Sequence, residues 1–339
     1  MSDPVQAAGS EQEHPSGIGV VVIGRNEGMR LRRCLESLRS LADRTVYVDS
    51  GSHDESVAVA RSLGVTPLEL DPGVPFTAAR ARNEGLELLL WMHPSLEYVL
   101  FVDGDCEVAQ TWPEAAAAFI RTRSDLALVW GRRREKHPER SIYNRLCDLE
   151  WKSVDVGETH ECGGDALIRV AALRQVHGYR PDLICGEEPE LCVRLHRAGW
   201  RIWRLNEEMT VHDAAMYNFH QWWRRMQRGG YAFAQGAHLH GDHVEAAAAS
   251  RSHRIWIWGL AVPLAVIIAA AAIGPWALCL LALYPLQIAR IALRGRHGRA
   301  DNWLHAAACV IGKFPEMLGQ VRFVKNSLTR VQARLIEYK

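Results

Sequence analysis

Two carboxylates stand one residue apart in Asp103-Gly104-Asp105, directly after the apolar run 98–102. A short apolar run bounded by turn residues predicts a buried strand, and open α/β sheets bind ligands at the carboxyl ends of such strands. Two acidic side chains there can share a hard divalent cation, Mg²⁺ or Mn²⁺, which in proteins usually also holds substrate phosphates. The alternative is a strand end at which Asp105 only turns the chain. The pattern alone leaves both interpretations open.

The carboxylates follow one of several strand-like segments that alternate with helix-like segments. The predicted strands are 18–23, 45–49, 65–70, 98–102, 126–131 and 201–205. The predicted helices include 29–41, 56–63, 76–92 and 111–121. This alternation is typical of an α/β fold with a Rossmann-like, mostly parallel sheet and helices on both faces. Residues 132–155 show no clear period.

The composition excludes few classes of protein. The chain has 339 residues, with 40 basic and 39 acidic side chains, so its charge balance gives no support for a nucleic-acid partner. Its eight cysteines lack the C-x-x-C spacing of zinc sites, and we expect free thiols in a reducing compartment. Residues 1–16 are polar, which predicts a disordered tail rather than a signal peptide.

A long apolar segment departs from this soluble pattern. Residues 255–289 carry no charged side chain, although one membrane helix needs only about 20 residues. Gly274-Pro275 interrupts the segment, so two helices in a hairpin, or one span plus an interfacial piece, both fit. A buried core segment is the third possibility. Arginines flank both ends, which favours both ends in the cytoplasm and hence a hairpin.

The segment 302–334 alternates apolar and basic residues around Pro315. That pattern predicts an amphipathic helix lying on a membrane surface. A solvated helix packed on the preceding domain is the alternative.

Several motifs occur in an order and spacing that resemble the family 2 glycosyltransferases, which have the GT-A fold. They are Arg25-Asn26-Glu27, the loop 49–54 after the second strand, the stretch 80–85, Asp103-Gly104-Asp105, Glu187-Glu188 and a Gln-x-x-Arg element at 221–224. The resemblance covers about residues 18–240. It implies a glycosyltransferase domain at 17–240 and a membrane-associated region at 241–339.

The resemblance implies a donor side that binds a UDP- or GDP-linked sugar together with Mg²⁺ or Mn²⁺. Asp105 would bind the metal ion, and Asp103 would contact the ion and the ribose. His212 matches a further metal-side histidine, with an ordinary strand-end histidine as the alternative. The remaining donor-binding residues would be Arg25, Asn26 and Glu27 lining the nucleotide pocket, Asp49 at the nucleobase, and Arg82 and Asn83 near the base and diphosphate.

The resemblance also implies a general base for an inverting transfer. Glu188 takes the position of the usual aspartate, with Glu187 as the second candidate. Adjacent carboxylates repel each other, which raises the pKa of one of them toward a value suited to a base. An acidic first turn of a helix is the structural alternative. Gly163, Gly164 and Asp165 would lie on the acceptor side.

The expected function is inverting, metal-dependent sugar transfer to a lipid-linked or saccharide acceptor at the inner membrane, with the catalytic domain in the cytoplasm. Arg224 and Arg225 would face the diphosphate or lipid headgroups. Other possibilities are a nucleotidyltransferase-like sugar-nucleotide enzyme and a non-catalytic scaffold subunit on a GT-A domain. No nucleic-acid partner is expected.

Overall fold

The structure, a computed structural model, describes residues 17–241 and 246–329. The predicted tail 1–16 and the last residues of the predicted helix 302–334 lie outside this range. The strands are β1 Ile18–Gly24, β2 Thr45–Asp49, β3 Thr66–Glu69, β4 Tyr98–Asp103, β5 Cys106–Val108, β6 Leu126–Glu135, β7 Gly157–Thr159, β8 Ala166–Arg169 and β9 Arg201–His212.

The helices alternate with these strands and then continue alone. In the sheet domain they are α1 Met29–Ser37, α2 Ser56–Ser62, α3 Ala78–Met92, α4 Trp112–Arg121, α5 Ile142–Lys152, α6 Val170–Gln175, α7 Glu187–Arg197 and α8 Phe219–His240. The C-terminal helices are α9 Ala246–Trp256, α10 Val262–Ile273, α11 Leu283–Leu293, α12 Arg299–Ile311 and α13 Lys313–Thr329.

Within the described residues the strands form one nine-stranded sheet. Its main order is β3-β2-β1-β4-β8-β6-β9-β5, and β7 pairs with β9. The β3-β2-β1-β4 half is parallel, whereas β8 runs antiparallel to both β4 and β6. The predicted mostly parallel sheet is therefore mixed. Because β8 runs against β4, with Ala166 opposite Phe101, the residue before β8 lies beside the carboxyl end of β4.

The core lies between the parallel strands and the helices that cover them. β1, β2 and β4 are buried along almost their whole length, as expected for strands covered on both faces. Helix α3 approaches the sheet closely at Gly85, where a Cβ would lie 2.6 Å from side-chain atoms of Val21 and Val48. This packing fixes the N-terminal part of α3, which carries Arg82, against the carboxyl ends of β1 and β2.

The stretch without a clear sequence period is ordered. β6 continues through three arginines to Glu135, and α5 follows, capped by the Ser141 hydroxyl, which accepts a hydrogen bond from the Asn144 amide at 3.0 Å. Its apolar face packs on α8 and α12, elements far away in sequence. Local periodicity therefore could not reveal these elements.

The apolar segment folds into two helices, Arg251–Ile273 and Pro275–Leu293, each long and apolar enough to cross a membrane. They meet at Gly274, whose φ of 96° only glycine adopts readily. The Tyr284 hydroxyl donates a hydrogen bond to the Trp258 carbonyl at 2.8 Å and joins the two helices side by side. Only 17% and 11% of their apolar windows are buried, which is not the behaviour of a core segment. The pair forms a hairpin and indicates membrane association.

The predicted amphipathic segment is two helices rather than one. The break falls at Gly312, and Pro315 sits in the first turn of α13, where its missing N–H costs nothing. One face of α13 crosses α8 closely, since a Cβ on Gly230 would overlap the Glu316 carbonyl oxygen. The Tyr231 and Phe323 rings pack edge to face at 5.4 Å. α13 thus packs on the sheet domain, while Leu318, Val321, Val324 and Leu328 remain exposed.

Candidate active site

A cavity of about 960 Å³ opens at the carboxyl ends of β1 and β4. The loop after β1, the end of β4, the start of α7, and helices α5 and α8 form most of its walls. Helices α12 and α13 form the remaining wall of the cavity. The cavity therefore joins the predicted donor residues to the C-terminal helices.

One guanidinium joins the two carboxylate groups that the sequence assigns to different tasks. Arg82 is 2% exposed and lies with Nη2 at 3.1 Å from Asp103 Oδ1 and at 2.9 Å from Glu188 Oε1. Its Nη1 donates to Glu187 Oε1 at 2.9 Å. The end of β4 and the start of α7 thus meet at Arg82. Sequence reasoning had placed Arg82 near the nucleobase and diphosphate, without this bridging contact.

Helix α7 presents Glu187 and Glu188 from its first turn. Gly186 precedes it in a left-handed conformation, with φ of 76°. A Cβ there would also lie 2.9 Å from Ala232 on α8. Burial and the neighbouring Glu187 raise the pKa of Glu188 to about 7, although Arg82 opposes this rise. A carboxylate that titrates near neutrality is suited to accept a proton from a hydroxyl.

A second buried network, centred on Asp165, holds Asp103 in place. Asp165 is fully buried and accepts hydrogen bonds from the Asp103 amide at 3.0 Å and the Thr210 hydroxyl at 2.7 Å. Arg133 pairs with Asp165 at 2.7 Å and reaches Asp103 Oδ2 at 3.5 Å. Burial alone would raise the pKa of Asp165, but Arg133 and the two hydrogen bonds hold it below its usual range. The prediction of Asp165 at the acceptor does not fit this structure, because a carboxylate with no exposed surface positions Asp103 instead.

The glycines before Asp165 differ in their surroundings. A Cβ on Gly164 would lie 2.6 Å from Asp103 Oδ2 and 2.9 Å from Arg82 Nη2, so this backbone lies against the bridging guanidinium. A Cβ on Gly163 would meet no atom within 4 Å. Only Gly164 contributes to the cavity wall.

Asp105 and His212 form a second pair beside Asp103. The antiparallel pairing of β5 with β9 sets His212 opposite Cys106, and His212 Nε2 lies 3.2 Å from Asp105 Oδ2. The Asp105 carboxylate is the kind of ligand that Mg²⁺ and Mn²⁺ prefer, and the His212 imidazole is a ligand that transition-metal ions accept. The Cys106 thiol lies nearby, but burial, with Asp165 next in effect, raises its pKa well above the usual value. As a neutral thiol it is a poor ligand for a hard ion.

The loops after β1 and β2 bind each other. The Asn26 amide donates to Ser52 Oγ, and the His53 amide donates to Asn26 Oδ1, both at 2.8 Å. Arg25 lies over the Phe76 ring at 5.8 Å, and Glu27 pairs with Arg30 at 2.8 Å. Arg25, Asn26 and Glu27 all line the cavity, and their nucleotide-binding role remains a prediction.

Two predicted donor residues have structural partners. Asp49 accepts hydrogen bonds from the Gly51 and Ser52 amides and from the Tyr47 hydroxyl, and so shapes its own loop. Asn83 exchanges two hydrogen bonds with the Tyr179 backbone, at 2.7 and 2.8 Å. Among the described residues, neither belongs to the cavity wall.

The adjacent arginines Arg224 and Arg225 of α8 lie in different surroundings. Arg225 lines the cavity and donates to Glu150 at 2.8 Å, whereas Arg224 is exposed outside it. Sequence reasoning missed Arg133 and Trp151. Arg133 stacks on Trp151 at 5.5 Å, and Trp151 packs edge-on against His212 at 4.9 Å. Arg133 lies in a basic run that continues a strand, which was the one available signal.

Part of the chain resembles known glycosyltransferases in sequence, and most of it resembles one in fold. Residues 19–176 match the model described as Glycosyl transferase family 2. A TPR repeat-containing protein of Synechococcus elongatus is 30% identical over 158 residues, 44% of this chain and 36% of the relative. An uncharacterized glycosyltransferase of Rickettsia conorii is 29% identical over 93 residues, 27% of this chain and 30% of the relative. The chain thus spans about a third of the length of these curated relatives.

A solved structure covers more of the chain. The mannosyltransferase of Pyrobaculum calidifontis, in complex with GDP-Man and Mn²⁺, superposes with a TM-score of 0.61. It is 21% identical, and the match covers 89% of this chain and 87% of that one.

The fold is that of a GT-A transferase domain, with two apolar helices appended. Residues 19–176 are a family 2 glycosyltransferase domain, and the resemblance inferred from the motifs is confirmed.

Proposed function

We propose that this protein transfers a sugar, with inversion, from a nucleotide-sugar donor to a lipid-linked or other membrane-proximal acceptor. The observation that carries the proposal is the Arg82 bridge. It brings the donor-side carboxylate Asp103 and the candidate base Glu188 to one guanidinium in one cavity. Transfer requires both functions within reach of a single sugar ring.

The donor would bind between the loops after β1 and β2 and the end of β4. Asp105 and His212 would hold a Mg²⁺ or Mn²⁺ ion, and the adjacent Asp103 would contact the ion and the ribose. When bound, such an ion neutralises the charge that develops on the leaving diphosphate. Asp49 would act on the nucleobase loop mainly through the turn that it stabilises.

Glu188 would take the proton of the acceptor hydroxyl while that oxygen forms its bond to the anomeric carbon. The bond between that carbon and the diphosphate oxygen breaks in the same step, and the nucleoside diphosphate leaves with the bonding pair. Glu187 is the second candidate, but it is almost completely buried, whereas Glu188 is more exposed toward the cavity. Arg82 keeps the two side chains oriented.

The apolar hairpin would anchor the protein in the inner membrane with the catalytic domain in the cytoplasm. Arginines flank the hairpin on both sides, and large apolar side chains along it are exposed, with Ile268 at 58% and Trp276 at 82%. Such a surface is stable in lipid and unfavourable in water. Membrane fractionation of cells that produce the full chain tests this localisation.

The decisive experiment is a donor-binding screen with UDP- and GDP-sugars and Mn²⁺, beginning with GDP-mannose because the Pyrobaculum structure contains it. Asp105→Ala should abolish Mn²⁺-dependent donor binding, measured by calorimetry. Asp125→Ala, which removes an exposed aspartate paired with Arg123, serves as the control. Unchanged binding in Asp105→Ala would refute its metal role, and no donor binding by the wild type would favour the scaffold alternative.

A further inference from the structure

The part of the cavity that α12 and α13 line is called the far lobe. Its polar side chains have no task in donor binding as proposed above. Helices α12 and α13 follow the apolar hairpin, yet they direct His305, Lys313 and Glu316 into the cavity. Glu316 is 13% exposed, and Lys313 Nζ lies 2.6 Å from its Oε2. Taking an ion pair largely out of water costs desolvation free energy, so stability alone does not explain this pair.

Three pairs of opposite charge line this lobe, and Arg228 of α8 also lines the cavity. Arg225 pairs with Glu150 at 2.8 Å, Lys313 pairs with Glu316, and Arg251 pairs with Glu161 at the rim. Paired charges offer hydrogen-bond donors and acceptors with little net charge. They suit a neutral polyhydroxyl group better than a phosphate, which would need cations that are not already neutralised.

The same lobe has an apolar side. Leu146, Met216, Trp222, Met226 and Ala308 line it, from α5, the loop after β9, α8 and α12. A Cβ on Gly312 would lie 3.5 Å from Met226 Sδ and 3.7 Å from Trp222 Cζ2, so the α12–α13 junction packs directly on this wall.

We propose that α12 and α13 form the acceptor site, and that the acceptor is a lipid with a neutral, hydroxyl-bearing glycan head. The inference rests on the proposed function and names its second substrate. The head would lie between the ion pairs, with one hydroxyl directed to Glu188, and the tail would leave along the apolar wall toward the hairpin. A hydroxyl acceptor must lose its proton to a base, and Glu188 is placed to be that base. A phosphate acceptor is already deprotonated and would need no base.

The test follows radiolabelled sugar from the donor into membrane lipids of the source cell. After reaction with the full-length protein in detergent, the lipids are separated by anion exchange into neutral and anionic fractions. We expect the label in the neutral lipid fraction. Label in the anionic fraction, label only in water-soluble products, or donor hydrolysis without lipid labelling would each overturn the proposal.

Variants locate the site. Cys309→Phe fills the lobe from α12 and should raise the acceptor KM about 10-fold or more while donor affinity stays unchanged. Ile311→Phe adds a ring on the same helix at a position 42% exposed, and should leave both unchanged. Glu316→Gln keeps the shape but breaks the charge pairing, and should also raise KM rather than lower kcat.

The two proposals fail in different ways. A wild-type protein that binds no nucleotide-sugar refutes the proposed function. A protein that binds donor and transfers sugar, but whose acceptor KM is the same in Cys309→Phe, retains that function and refutes the acceptor site on α12 and α13.

Discussion

The sheet domain and the C-terminal hairpin treat apolar side chains in opposite ways. In the domain, β1, β2 and β4 are buried along almost their whole length, and charged groups gather at the strand ends. In the hairpin, Ile267, Ile268 and Trp276 are more than half exposed. The domain buries its apolar side chains within its own core, whereas those of the hairpin can be buried only by a partner outside the chain, such as a membrane. Helices α12 and α13, which follow the hairpin, form one wall of the cavity in the sheet domain.

The largest effect is expected at the polar centre of the domain. Glu188→Gln should lower transfer by about 10²- to 10⁴-fold and leave donor binding intact, because the amide cannot accept the proton. Steady-state rates together with donor calorimetry check this. Retained transfer would point to Glu187, and Glu187→Gln is therefore the matched variant.

The pH dependence of transfer follows from the same residue. The pKa of Glu188 is raised to about 7, so its basic form is lost as pH falls through 7, and the transfer rate should fall with it. The raised pKa also means that the folded state binds this proton more tightly than the unfolded state does. Glu188 therefore makes the fold less stable as pH rises from the ordinary carboxyl range to about 7. In thermal melts, the Tm of the wild type should therefore fall relative to that of Glu188→Gln as pH rises from the ordinary carboxyl range to about 7.

A matched pair of arginines tests the opposite behaviour of the two surfaces. Ile268→Arg places a charge on the exposed face of the hairpin and should cost about 2.5–3.5 kcal/mol of membrane insertion if that position lies at the centre of a spanning helix. Ile142→Arg makes the same change at a position 55% exposed on the sheet domain and should have little effect. Carbonate extraction of membranes measures the embedded fraction. Equal extraction of both variants would contradict the difference drawn between the regions.

Adjacent glycines on α8 test how tightly α13, which follows the hairpin, packs on the sheet domain. Gly230→Ala places a methyl group against the Glu316 carbonyl of α13, so the helices must separate, and we expect Tm to fall by about 5 °C or more. Gly229→Ala meets no atom within 4 Å and improves helix propensity, so its Tm should stay or rise. Similar melting of the two variants would argue against a close α8–α13 crossing.

The smallest effect is expected at Gly163 and Gly164, the two glycines that precede Asp165. Gly164→Ala pushes on Asp103 and Arg82 and should weaken donor binding about 10-fold, the usual scale for residues that position a ligand group. Gly163→Ala, which points into open space, is the control. Calorimetry with donor and Mn²⁺ measures both, and an equal effect would show that Gly164 does not support the site.

Local sequence was sufficient for much of this protein. Apolar runs predicted β1, β2 and β4 within a residue, because buried parallel strands carry an uninterrupted apolar signal. The 255–289 segment and Gly274-Pro275 predicted apolar helices and a break between them, because a long run without charges can enter a membrane and Gly-Pro interrupts a helix. The motif order predicted the family 2 domain.

Only the tertiary structure decided which side chains meet. Arg82 and Glu188 are joined by long-range packing of α3 and α7. Asp165 reaches Asp103 because β8 runs antiparallel to β4, a direction that the apolar pattern of a strand does not encode. The sequence alone thus determined the chemistry available at the strand ends, while three-dimensional packing decided that Asp165 supports the site, that Asn83 binds a neighbouring backbone, and that α12 and α13 complete the cavity.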